Sequence, residues 1–91
     1  MRKIYKYPLF ITYSQLVNVP QGSVFLSVTM QKNTPVCYFM VWADIAEMSS
    51  VRFKIFGTGH PIDESDIANM RFVGTLPMHY DDLMWHVFIE M

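Results

Sequence analysis

Val24-Phe25-Leu26-Ser27-Val28-Thr29-Met30-Gln31 and, after Lys32-Asn33-Thr34-Pro35, Val36-Cys37-Tyr38-Phe39-Met40-Val41-Trp42 are the stretches that decide the fold. In the first, Val24, Leu26, Val28 and Met30 alternate with Phe25, Ser27, Thr29 and Gln31, the period of two that a half-buried strand imposes. The second keeps the period but is apolar on both faces, which places it in the middle of a sheet. A short turn containing Asn33 between two such runs is a hairpin signal.

The same period recurs outward in both directions. Lys3-Ile4-Tyr5-Lys6-Tyr7 opens the chain as a strand that Pro8 ends or leaves at an edge, since proline has no N–H for a ladder. Phe10 to Val19 reads as a weaker strand stopped by Pro20, with Gln21-Gly22 as a turn. Beyond Trp42 the polar stretch Asp44 to Ser50 suits a short helical turn, with Asp44 placed to cap it. Val51 to Phe56 is the cleanest amphipathic strand: Phe53 and Ile55 alternate with Arg52 and Lys54, giving one apolar and one cationic face. Asp63 to Asn69 reads as an exposed loop or a single helical turn, and Met70 to Val73 as a strand before a bend at Gly74-Thr75. Leu76 to Leu83 reads as a connection, and Met84 to Glu90 as the last strand, with Trp85, Val87 and Ile89 on one face. The expected fold is therefore all-β: one domain over residues 1–91, a small antiparallel sandwich or barrel of six to seven short strands with at most one helical turn.

Composition narrows the function. With 7 basic and 8 acidic residues the net charge is −1, too thin a cationic supply for generic nucleic-acid binding, which is driven by counterion release from clustered Lys and Arg. No apolar run reaches the roughly 18 residues of a membrane helix. The lone Cys37 excludes an internal disulfide and sits where a small buried hydrophobe is expected. The lack of disulfides and of a leader-like segment points to a reducing cytoplasm. A 52% hydrophobic and 15% aromatic content is high for so short a chain, and the surplus is expected to cover itself against another copy or a partner. A homo-oligomer, most simply a dimer, would also bury open sheet edges.

Few residues are arranged for chemistry. His60, His79 and His86 are the three histidines, but close Cys/His pairs of the zinc type do not occur, so no metal site is expected. No serine lies in a Gly-x-Ser-x-Gly elbow, and no catalytic residues or cofactor are assigned; a non-enzyme is the better reading. The most distinctive stretch is Gly57-Thr58-Gly59-His60-Pro61. It lacks the third glycine and the helix of a dinucleotide fingerprint, and it lacks a Walker lysine. Its glycines nevertheless permit close backbone approach, so a small anionic ligand could meet Gly57, Thr58, Gly59, His60 and His86 beside Arg52 and Lys54. A protein interface would instead use aromatic anchors, with Tyr5, Tyr7 and Phe25 as candidates.

Lys3-Ile4-Tyr5-Lys6-Tyr7, Arg52 to Ile62 with its Gly-Thr-Gly-His-Pro, Phe72-Val73-Gly74-Thr75 and Trp85-His86-Val87-Phe88 together resemble a family of small phage and prophage proteins of unknown function. The resemblance spans nearly the whole chain. It implies a viral gene product working in the host bacterial cytoplasm, but it brings no activity. Small phage accessory proteins of this kind often block a host or defence protein, or sequester a nucleotide signal.

Overall fold

The computed structural model describes residues 1–78 and 83–90. The hairpin forms as expected: β3 (Val24–Gln31) and β4 (Thr34–Trp42) pair antiparallel, joined by Lys32 and Asn33. Both turn residues take positive φ, 50° and 62°, as a two-residue turn matching the strand twist requires. On the other side of β4 lies β1 (Arg2–Pro8), so the three-stranded sheet runs β1-β4-β3 with the doubly apolar strand in the centre.

A bulge changes the phase of β3. Phe25 opposes Phe39, Ser27 opposes Tyr38, and Leu26 is the additional residue between them. Read straight through, the alternation puts Val24, Leu26, Val28 and Met30 on one face. In fact Val24 lies on the outer side, whereas Phe25, Val28 and Met30 pack against the core.

The second sheet holds four strands in the order β2-β5-β7-β6: β2 (Ser14–Pro20), β5 (Met48–Gly57), β7 (Leu83–Glu90) and β6 (Met70–Met78), all antiparallel. Among the described residues the fold is thus a seven-stranded sandwich with one short helix, α1 (Glu64–Ile67). Three expectations change. The helical turn over Asp44 to Ser50 does not form, because Met48, Ser49 and Ser50 extend β5 to pair with Pro20, Val19 and Asn18. Residues 10–13 precede β2 as a bend, tied when Phe10 N donates to Gln15 Oε1 at 2.9 Å. Gly74-Thr75 lies inside β6, next to a second bulge at Val73, and Leu76 to Met78 continue that strand opposite β7. The rest of the expected connection, 79–82, lies outside the described residues, as do His79 and Asp81-Asp82.

The two sheets meet through aromatic rings. Phe39 of β4 and Phe53 of β5 approach edge-on at 6.3 Å, and Phe25 packs at 5.6 Å from Phe39 and 6.0 Å from Phe53. Val41, Val87 and Ile89 complete the centre, each essentially sealed from solvent. Burying each such side chain contributes about 1.5–3 kcal/mol. Gly74 has a definite role here: a Cβ at that position would come within 2.9 Å of Val28 Cγ2 on the opposite sheet. Cys37 is fully buried, as expected, and burial pushes its thiol up to about 12, far from the range of a reactive thiolate.

Candidate functional site

The Gly57–Pro61 turn follows β5 where that strand lies against β7. Gly57 opposes Trp85 and Phe56 opposes His86, and since neighbours along a strand point to opposite faces, Trp85 looks into the sandwich and His86 away from it. The turn uses both. On the inner side, His60 folds back over Gly57 and packs edge-on against the Trp85 ring, 6.2 Å between centroids. Gly57 N donates to His60 Nδ1 at 3.3 Å, and His60 N donates to Gly57 O at 3.1 Å. There is no room for a side chain beneath that ring: a Cβ on Gly57 would lie 2.8 Å from His60 Cε1 and 3.2 Å from the Trp85 indole. Gly59 answers a different need, the backbone φ of +87° that closes the turn.

On the outer side, His86 is held at both ring nitrogens. Thr58 Oγ1 lies 2.7 Å from Nε2 and Thr75 Oγ1 lies 3.0 Å from Nδ1. A neutral imidazole has one donor and one acceptor, and a hydroxyl can take either role, so both bonds are satisfied together. The two histidines therefore do not share a pocket; they clamp the same turn from opposite sides. Two stretches that share a resemblance, Gly57 to Pro61 and Trp85-His86, are also in physical contact.

Three backbone N–H groups of the turn are engaged. The N–H of Gly57 goes to His60, that of Thr58 to Met84 O at 3.3 Å, and that of His60 to Gly57 O. The adjacent cations are also engaged. Arg52 Nη1 donates to Ser14 Oγ at 2.5 Å. Lys54 Nζ donates to Asp66 O at 2.8 Å and lies 5.2 Å from the centre of the Tyr13 ring. Tyr13 in turn donates its hydroxyl to Asp66 Oδ1 at 2.5 Å, fastening the loop before β2 to α1. That bond holds the Asp66 carboxyl below its ordinary value and the Tyr13 hydroxyl above its own. The cationic face read from Arg52 and Lys54 is therefore present, but its charges are turned toward Ser14 and α1 and not toward the glycine turn. Beside the turn lies a cleft of about 350 Å³ whose walls include Ile11, Tyr13, Phe56, His60, Pro61 and Trp85.

The aromatic candidates separate. Tyr5 keeps part of its surface in solvent, whereas Tyr7 packs edge-on against Phe39 at 5.8 Å. Phe25 is not a free anchor: the bulge at Leu26 turns it into the core. What the sequence reading missed is the outer face of the three-stranded sheet. Ile4 is 60% exposed and Val24 53%, and Leu26 and Trp42 are exposed too. The Arg2 guanidinium stacks 4.7 Å above the Trp42 ring. On the outer side of the central strand β4, Val36 is buried and Tyr38 and Met40 are half-buried, while Trp42 at its end is exposed.

A family profile matches residues 1–91, the full length of the chain, and its description is a domain of unknown function, DUF7352. The chain belongs to the DUF7352 family. No curated protein and no solved structure matches it. Among the described residues no helix of this DUF7352 chain is long and apolar enough to cross a membrane.

Proposed function

We propose that this DUF7352 chain is a phage or prophage accessory protein that acts by non-catalytic binding of a host protein, with the outer face of the three-stranded sheet as its working surface. The observation that carries the reading is the exposure of Ile4, Val24, Leu26 and Trp42 on one side of a single sheet. Clustered apolar surface of this kind, rimmed by the cations Arg2 and Lys6, is typical of interaction sites. Trp and Arg, stacked here as Trp42 and Arg2, are the residue types that most often dominate binding energy. The histidines support the reading from the other side, since each is consumed in fixing the Gly57–Pro61 turn.

The test is co-purification from a bacterial host, with light scattering to establish a stoichiometric complex. Trp42→Ala combined with Val24→Ser is expected to abolish that complex while leaving the unfolding midpoint in place. Recovery of the wild-type chain free of any stoichiometric partner would overturn the proposal.

A further inference from the structure

The open edge of β1 has features that the rest of the surface lacks. Met1 O accepts from Ala43 N at 3.0 Å, and Leu9 N donates to Pro35 O at 2.8 Å, so the odd-numbered residues between them face β4 in the ladder. An antiparallel ladder alternates, and the N–H and C=O groups of Arg2, Ile4 and Lys6 are consequently directed to the unoccupied edge. The strand is regular from Arg2 to Pro8, whereas edge strands β3 and β6 are interrupted by bulges. Edge strand β2 is the fourth, and Ser14 to Pro20 carry no charge at all.

Charge distinguishes the β1 edge further. Arg2 and Lys6 point to the outer face with Ile4 between them, because their partners Trp42, Met40 and Tyr38 alternate with the buried Val41, Phe39 and Cys37. Each cation borders a hollow: one of about 450 Å³ formed by Arg2, Lys3, Ile4 and Met40, and one of about 400 Å³ that includes Lys6, Pro8, Lys32 and Val36. Among the described residues the one ion pair joins the N-terminal amine to Asp44, so no carboxylate there answers Arg2, Lys3, Lys6 or Lys32. Lys6 spends one of its three donors on Gln31 Oε1, at 2.7 Å.

Deepening the binding function proposed above, and resting on it, we infer that the β1 edge accepts an extended acidic segment of the partner as an added strand. Its backbone pairs with Arg2, Ile4 and Lys6, and two carboxylates four residues apart meet Arg2 and Lys6. The spacing follows from the pleat: residues four apart on a strand share a face and stand about 13–14 Å from one another. The position between them, opposite Ile4, takes an apolar side chain. A second copy of this chain is the poorer occupant, because pairing β1 with itself brings six cations into one junction. Strand addition supplies affinity through main-chain bonds and specificity through alternate side chains.

The test titrates the full chain with a synthetic nine-residue peptide of alternating threonines, with glutamates at positions 3 and 7 and valine at 5. Saturable binding is expected that weakens with salt. It should fall at least about fivefold when both glutamates become glutamines, or when the protein carries Arg2→Gln with Lys6→Gln. Methylating the peptide's edge-facing backbone nitrogens should abolish it, and bound peptide should protect the Arg2, Ile4 and Lys6 amides from hydrogen exchange. No saturable binding, or binding indifferent to backbone methylation, overturns the inference, as does a wild-type dimer that the Arg2/Lys6 substitutions tighten. A host complex that survives those substitutions but is lost with Trp42→Ala and Val24→Ser overturns this inference and leaves the proposed function standing.

Discussion

The outer faces of the two sheets both leave apolar side chains exposed, Leu16, Tyr13 and Phe72 on the four-stranded sheet and Ile4, Val24 and Trp42 on the three-stranded one, but they differ in how those side chains and their polar neighbours are engaged. On the four-stranded sheet, Tyr13, Phe56, Phe88 and Phe72 form a continuous row of edge-on rings 5.5–5.7 Å apart. Lys54, Asp66 and Tyr13 satisfy one another beside it, and His86 is bonded at both nitrogens. On the three-stranded sheet, Ile4, Val24 and Trp42 stand open; the exposed Arg2 guanidinium lies over Trp42 and donates to Met40 Sδ at 3.3 Å, and Lys6 donates to Gln31 Oε1 at 2.7 Å. The first face carries the longer network of contacts among its own side chains, and the second carries a shorter one. A surface whose polar groups are already paired has little to gain from a partner, because each bond made must replace one lost. The difference is one reason for proposing the three-stranded sheet as the binding side.

The strongest way to break that comparison is to compare the core with the open face. Phe53→Ala and Phe39→Ala, each emptying the layer between the sheets, should each cost about 3–5 kcal/mol in urea unfolding. Ile4→Ser should stay within about 0.5 kcal/mol. A large loss at Ile4 would mean that the outer face is structural after all.

A smaller effect probes the clamp. Gly57→Ala forces a methyl group beneath His60 and should cost about 1–3 kcal/mol, the usual range for overpacking. In a His60→Ala background the same change should cost about 1 kcal/mol less, since the nearer obstacle has gone. Additive losses would show that His60 does not hold the turn.

The smallest effect is electrostatic and lies on the closed face. The Tyr13–Asp66 bond lowers the folded-state pKa of Asp66, so its contribution is present above the unfolded value and is lost as pH falls through the folded one. It raises that of Tyr13, whose contribution is present below its unfolded value and is lost as pH rises through the folded one. Tyr13→Phe should flatten the stability profile below about pH 4 and above about pH 10, leaving the neutral region flat in both proteins. Unaltered limbs would show that the bond does not persist in solution.

How far the sequence could be read depended on the range of the interaction concerned. The hairpin at Lys32-Asn33 and the central place of the Val36–Trp42 strand were legible because period and turn chemistry act between near neighbours. The bulges at Leu26 and Val73 were not, since one additional residue leaves composition unchanged while turning Phe25 inward. Gly57 was legible as a glycine that mattered, but not why: the ring it admits comes from His60 and the wall from Trp85, 28 positions along the chain. Arg52 and Lys54 shared a face as expected, but their partners, Ser14 and Asp66, come from other elements.

By itself, then, the sequence determined that this DUF7352 chain is a set of short antiparallel strands, because alternation along a pleated backbone is a local consequence of burying one side. Only the tertiary structure decided which sides are covered. Whether Trp42 meets a neighbouring layer or solvent depends on how two sheets stack, and whether His60 and His86 converge or clamp depends on the phase in which β5 and β7 pair. Both are set by the summed packing of residues distant in the chain, which no local pattern records.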